Sequence, residues 1–279
     1  MNDTKTNIIK ISGKNIDNFF QNLITNDINL LTSKNSIYTA FLTPQGKYLY
    51  DFFIIRDEKS LLIECNQNKT NSLINEIKKY DIRDEIKTSI NTTYNTFVVL
   101  KKDLKKEVLE EINESKLLKK NNLIFFEDPR SKDFLVRFWV KNKIKKDFIK
   151  PSRLDDIESE RIKLKIPNTE IDLIENRSFI LNYNFENLNA VSFEKGCYIG
   201  QENTARQKYR GNLKFSLQTI KIIKGKIPEI NEDICYNNRK IGTIKSRINN
   251  YSLCLLKNDS SIDKKKNIET DNGMLFQII

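Results

Sequence analysis

The change of pattern at residue 212 constrains the fold more than any other feature of the chain. Beyond it the sequence reads as short strands at 214–223, 233–236, 239–247, 251–256 and 273–278. Asn237-Asn238 and Asn249-Asn250 separate neighbouring strands. Asparagine suits such turns because its short polar side chain tolerates the left-handed backbone region. Regular short strands broken by turn signals predict a small barrel. The charged run Asp263 to Lys266 reads as an exposed loop within it.

Ahead of residue 212 strands alternate with helices. A strand over 7–11 stops at Ser12-Gly13, and Ile16, Phe19, Phe20 and Leu23 then recur at the spacing of one helical face. Strands at 37–42 and 48–56 flank Thr43-Pro44-Gln45-Gly46, where the proline and glycine fit a type I turn and predict a hairpin. A strand at 60–65 precedes a helix at 67–80 marked by Leu73, Ile74 and Ile77. Strands at 86–90 and 95–100 lead to a charged helix over 102–119, with Leu104, Val108, Leu109 and Ile112 on one side. Strands at 122–127 and 133–140 flank Asp128-Pro129-Arg130. Ser152 to Asp155 has the form of a capped helix start, and that helix ends before Pro167. The expected organisation is an α+β part over 1–212 and an all-β part over 213–279.

Composition narrows the chemistry. The chain has no histidine, which excludes histidine-based nucleophile systems and imidazole metal sites. Cys65, Cys197, Cys235 and Cys254 are far apart in sequence, so no CxxC clip exists and no metal is expected to be held by this chain alone. The net charge of +11 favours anionic partners, either nucleic acid or a carboxylate-rich small molecule, although a general abundance of lysine explains it equally well. No run of eighteen apolar residues exists and residues 1–12 lack a secretory pattern, so no membrane partner and a cytoplasmic location are expected.

The most informative stretch is Lys195-Gly196-Cys197-Tyr198-Ile199-Gly200-Gln201-Glu202, followed by Ala205-Arg206 and Tyr209-Arg210-Gly211. Glycines around a thiol and a phenol let the backbone turn sharply or approach a ligand. The cations at Lys195, Arg206, Lys208 and Arg210 would favour the thiolate of Cys197. Gln201 and Glu202 can hydrogen-bond a planar heterocycle, and Glu202 also suits a helix start. On physical grounds alone the plainer reading is a glycine-rich turn ahead of a helix, with a packed cysteine and surface arginine pairs.

This stretch closely resembles the K-G-C-[FY]-x-G-Q-E motif of the YgfZ-like folate-binding family, within the aminomethyltransferase (glycine-cleavage T-protein-like) superfamily. The resemblance extends to Phe19-Phe20-Gln21-Asn22-Leu23-Ile24-Thr25-Asn26-Asp27, to the hairpin at 38–51, to Asp128-Pro129-Arg130 and to Arg161 through Pro167. It implies two interleaved α/β subdomains plus a C-terminal small β-barrel, arranged around a site for tetrahydrofolate. It also implies an accessory role in iron–sulfur protein assembly or repair and linked tRNA modification, with client proteins or assembly factors as partners and tRNA as a further one.

By the same resemblance Cys197 is the functional thiol, and Lys195, Gly196, Tyr198, Gly200, Gln201 and Glu202 belong to the cofactor site. Arg206 and Arg210 would supply charge at its rim for the glutamate tail. Asp51 aligns with the catalytic aspartate of the aminomethyltransferases and could serve folate-dependent one-carbon transfer, against the simpler role of a strand-edge aspartate. A single deep pocket receiving Lys195, Cys197, Asp51 and the hairpin at 43–47 is therefore expected. Two departures stand out: Lys165 replaces the glycine of the family's G-I-P segment, and Asn182 replaces an acidic residue associated with pterin contact. The alternatives to an accessory protein are a folate-dependent transferase or demethylase and a basic tRNA-binding module.

Overall fold

A computed structural model describes residues 5–120, 122–141, 153–211, 213–258 and 266–279. The helix start expected at Ser152, and the loop expected at Asp263 to Lys266 apart from its last residue, lie outside the described residues. The chain forms two compact units, each assembled from separate segments. The first comprises Met1–Leu42, Leu49–Ile157 and Leu188–Ile199, and the second Thr43–Tyr48, Glu158–Asn187 and Gly200–Ile279.

The first unit contains two antiparallel sheets. Strands β1 (Thr6–Gly13), β2 (Ser36–Leu42), β3 (Tyr48–Asp57), β4 (Ser60–Asn66) and β5 (Ile86–Asn91) form a sheet in the order β2-β3-β4-β1-β5. Helices α1 (Ile16–Gln21) and α2 (Thr70–Tyr80) supply Ile16, Phe20, Leu73 and Ile77 to the same core as Ile9, Ile11, Ile54 and Ile63. Apolar residues at helical spacing meet alternate residues of the strands, so each element buries one face. The second sheet holds β6 (Tyr94–Leu100), β7 (Leu117–Lys120), β8 (Leu123–Glu127) and β9 (Leu135–Lys141) in the order β6-β9-β8-β7. Helix α3 (Lys106–Glu114) places Ile112 in the core formed with Phe97, Phe125 and Phe138.

One local expectation is corrected in this sheet. The helix expected over 102–119 ends at Glu114, and Leu117 pairs with Phe126 and Leu118 with Phe125 in β7. Ser115 leaves helical geometry at φ −134, which frees the following leucines for the sheet. A long charged run reads as one helix, but the leucine pair gains more by closing the sheet edge.

The second unit carries α4 (Leu154–Lys163) from Glu158 onward, α5 (Gln201–Tyr209) and the C-terminal strands. These are β10 (Phe215–Lys224), β11 (Asp233–Tyr236), β12 (Arg239–Ile248), β13 (Tyr251–Lys257), β14 (Ile268–Glu269) and β15 (Leu275–Ile278), ordered β11-β12-β13-β10-β15-β14. The two ends of this sheet approach each other, since the Asp271 N–H donates to the Cys235 carbonyl at 3.0 Å. The expected small barrel is therefore present and nearly closed, around Ile220, Ile244, Cys254, Leu256, Met274 and Phe276. Asn237 and Asn238 both adopt positive φ (52° and 59°), as the tight turn between β11 and β12 requires.

Candidate functional site

The first half of the motif belongs to the first unit, where it is laced to the segment after α1. The Lys195 ammonium is buried and donates to the carbonyls of Gln21 (2.7 Å), Ile24 (2.8 Å) and Asn26 (2.9 Å). A short helix ends at Gln21, whose carbonyl has no partner within the helix, and the lysine serves it together with two carbonyls of the segment that follows. Burial pulls the Lys195 pKa down to about 8, only partly offset by Asp27. Four further bonds complete the lacing: Ile199 N–H to the Asn22 carbonyl, Ser192 N–H to that of Thr25, the Thr25 hydroxyl to that of Ala190, and the Asn26 amide to that of Asn189. The early F-F-Q-N-L-I-T-N-D segment thus acts as the receiver of the motif loop.

At the apex of that loop the Cys197 thiol is exposed and is not packed in an apolar core. A Cβ added to Gly196 would meet nothing within 4 Å, so nothing within the described protein demands glycine there. Tyr198 is buried, and the Lys195 Nζ stands 5.1 Å from its ring centroid.

The second half of the motif belongs to the second unit. Gly200 takes φ 82, a conformation that costs glycine little, and opens α5. The tip of the expected hairpin packs on this helix start. The Asn203 amide donates to the Gln45 carbonyl at 2.9 Å, and a Cβ on Gly46 (φ 73) would come within 3.0 Å of the Asn203 Cβ and the Gly200 carbonyl oxygen. The Gly46 N–H returns to the Thr43 carbonyl at 2.8 Å, closing the turn. Gln201 is half-buried at the first position of α5. Glu202 pairs with Arg206 at 3.1 Å on the exposed surface, where such a pair contributes little to stability.

The C-terminal end of α5 borders a cavity of about 710 Å³. Its apolar wall includes Phe179, Leu213 and Phe215, and its polar rim includes Asn182, Arg206, Arg210 and Lys214. Among the described residues no carboxylate lies within ion-pair distance of Arg210 or Lys214. The Lys47 Nζ sits 3.2 Å from the ring centroid of Phe179 and donates to the Arg177 carbonyl, so the hairpin reaches the cavity wall. A space of this size, with aromatic walls and a few placed polar groups, matches a drug-sized ligand site. Arg206, Arg210 and Asn182 were singled out by the sequence, and here they meet in one cavity. Phe179 was missed, because in the apolar run Phe179-Ile180-Leu181 it reads as one more core residue.

Asp51, on β3 in the first unit, accepts a hydrogen bond from the Tyr38 hydroxyl at 2.8 Å. Burial, then the Asp51 charge, raises the Tyr38 pKa well above the ordinary phenol value. Arg130 stands over the rings of Tyr38 (5.1 Å) and Phe53 (4.8 Å) and forks onto Asp128 at 3.0 and 2.8 Å. Burial alone would raise the Asp128 pKa, but Arg130 and Arg137 hold it below the usual carboxylate range. Arg137 also engages Glu64, which accepts from the Trp139 indole at 2.6 Å. This buried network was not foreseen. Its signal was present, since Glu64 and Arg137 are lone charges inside otherwise apolar strands and such charges are paired when buried.

No protein-family model matches the chain. It is 29% identical over 247 residues to the iron–sulfur cluster assembly factor IBA57 homolog, mitochondrial, of Neurospora crassa, covering 82% of this chain and 55% of that protein. The Dictyostelium discoideum homolog is 26% identical, covering 73% and 58%, and the mouse mitochondrial protein 25% identical, covering 79% and 65%. The chain spans 55% and 52% of the length of two fungal relatives. Among solved structures, glycine cleavage system aminomethyltransferase T from Bartonella henselae aligns with a TM-score of 0.75 at 11% identity, over 99% of this chain and 82% of that one. That likeness establishes the aminomethyltransferase-type fold. The assembly-factor relatives carry mitochondrial names, which overturns the cytoplasmic location expected from the sequence. The absence of a secretory pattern and of an apolar span excludes neither import into an organelle nor residence there, so the expectation had no physical basis. Among the described residues no helix is long and apolar enough to cross a membrane.

Proposed function

We propose, on the premise that the chain belongs to the YgfZ-like branch of the aminomethyltransferase superfamily, that it is a tetrahydrofolate-binding accessory protein of iron–sulfur protein assembly or repair and linked tRNA modification. The observation that carries this reading is the cavity in the second unit, with aromatic walls at Phe179 and Phe215 and uncompensated cations at Arg210 and Lys214. A flat pterin would pack against the aromatic wall, and the Asn182 amide could bond its edge as a neutral replacement for an acidic partner. The carboxylates of the ligand would meet Arg206 and Arg210, where charge-assisted bonds are the strong ones.

In this reading Lys195 acts by holding the loop rather than by touching the ligand. Its ammonium fixes the loop that presents Gly196 and the exposed Cys197 thiol to an iron–sulfur partner or client. Gly200 starts α5 and so sets the direction of Glu202, Arg206 and Arg210. The transferase alternative has less support, because Asp51 is engaged by Tyr38 beside a buried charge network.

The test is replacement in cells lacking their own protein of this family, read by the activities of iron–sulfur enzymes. The wild-type chain restores them, and the double variant Arg206→Ala/Arg210→Ala and the single variant Cys197→Ser do not. Restoration by both variants at the wild-type level would overturn the reading.

A further inference from the structure

Lys165 stands at φ 55, in the left-handed backbone region that a residue with a Cβ enters at a cost. Among the described residues most others at positive φ are asparagines, whose short side chains suit it, and Lys165 is the only lysine. Strained backbone of this kind persists where the surroundings over-determine it, and it gathers at functional sites. Here the surroundings do so. The Lys165 N–H donates to the Ile162 carbonyl at 3.1 Å, which also accepts from the buried Thr219 hydroxyl of β10 at 2.6 Å. The Lys165 carbonyl accepts from the Asn184 side chain at 3.3 Å. The point from which the side chain departs is therefore fixed against the barrel. From that point a relay of hydrogen bonds runs to the cavity wall. The Lys165 ammonium donates to Gln218 Oε1 at 3.1 Å, and Gln218 Nε2 donates to the Ser216 hydroxyl at 2.9 Å. That hydroxyl donates to Asn258 Oδ1 at 2.7 Å, and Asn258 Nδ2 donates to the Leu213 carbonyl at 2.9 Å. The Asn258 N–H adds a bond to the Lys214 carbonyl at 2.9 Å. Leu213, Lys214 and Phe215 line the cavity, whereas Lys165 does not. Every side-chain donor of the relay points the same way, so the ammonium at its head polarises the bonds that follow.

Resting on the folate reading above, we propose that Lys165 is a positioning residue for this cavity, holding the wall segment Leu213–Phe215 in place through Gln218, Ser216 and Asn258. The aromatic surface of Phe215 and the cation of Lys214 both depend on that segment. Glycine at position 165 would relieve the backbone and remove the head of the relay. The lysine therefore lowers stability and fixes the wall, the opposition expected where a strained residue serves a site. A residue with a merely structural role would move stability and binding in the same direction.

The experiment compares the wild-type chain with Lys165→Gly, Lys165→Met and the conservative Lys165→Arg. Hydrogen exchange without ligand, thermal unfolding and calorimetric titration with tetrahydrofolate are measured on each. Exchange over Leu213–Gln218 and at Asn258 is expected to quicken at least about threefold in the glycine and methionine variants, and to stay at the wild-type rate in the arginine variant. The glycine variant melts about 1–2 °C higher than wild type. It nonetheless binds tetrahydrofolate about fivefold more weakly, as does the methionine variant, while arginine restores the affinity. Unchanged exchange in both the glycine and methionine variants would overturn the relay. Faster exchange with undiminished affinity would overturn the positioning role and leave the folate reading standing. No binding of tetrahydrofolate by the folded wild-type chain would remove the folate reading and, with it, the role assigned to Lys165.

Discussion

Arginines in the two units are used in opposite ways. In the first unit Arg130 and Arg137 are buried against Asp128 and Glu64, stacked over Phe53, and their charge is neutralised within the protein. In the second unit Arg206 and Arg210 stand at the rim of a cavity, where the one lining carboxylate, the exposed Glu202, pairs with Arg206. A buried pair that loses one member leaves an uncompensated charge in a poorly polarisable interior. An exposed arginine that is lost leaves only water behind. The same residue type therefore serves folding in one unit and, in the function proposed above, ligand binding in the other, and burial rather than sequence decides which.

The largest test of that contrast is Arg137→Met. It strands Glu64 and weakens the hold on Asp128, and should destabilise the protein by about 3–5 kcal/mol in urea unfolding. A loss below 1 kcal/mol would mean that water or relaxation satisfies the network. The network also has a pH signature. Because Asp128 titrates below its ordinary value of 3.8 when folded, its stabilising effect is complete above that value and is lost as pH falls through the folded pKa. Acid unfolding below that value should therefore flatten in Arg130→Ala.

Lys195→Met comes next. Three carbonyls lose their donor, and a cost of about 2–3 kcal/mol is expected by thermal or urea unfolding. With a folded pKa near 8 against an ordinary 10.5, the unfolded chain holds more protons between those values. The wild-type stability contribution from this group thus rises with pH across that window, and the slope should vanish in the variant. Arg210→Ala should change stability by less than about 0.5 kcal/mol while weakening folate binding, the reverse of Arg137→Met. The smallest effect is expected at Lys165, a non-glycine residue at φ 55 where the G-I-P segment that the chain resembles has glycine. Lys165→Gly should stabilise by up to about 1 kcal/mol, offset in part by loss of its bond to Gln218.

Much of this architecture was legible in the sequence, for identifiable reasons. The strands of the barrel and the hairpin at 43–47 carry their own turn chemistry, in Asn237-Asn238 and in Pro44 with Gly46. The motif at 195–202 predicted where the chain concentrates unusual residues, and the local rule for Gly200 held. The role of Lys195 was not legible, because its acceptors lie more than 160 residues away, at Gln21, Ile24 and Asn26. The same distance hides the pairing of Glu64 with Arg137, separated by 73 residues. The aromatic wall escaped for a related reason. Phe179 and Phe215 come from separate segments, and only the fold shows that they border one cavity.

The central claim is that the second-unit cavity binds tetrahydrofolate. Calorimetric titration of the purified chain, alongside the double variant Arg206→Ala/Arg210→Ala, tests it most directly. The account predicts one saturable site in the wild type and at least about a tenfold loss of affinity in the variant, at an unchanged melting temperature. No saturable binding by the folded wild type, or equal affinity in the variant, would contradict it.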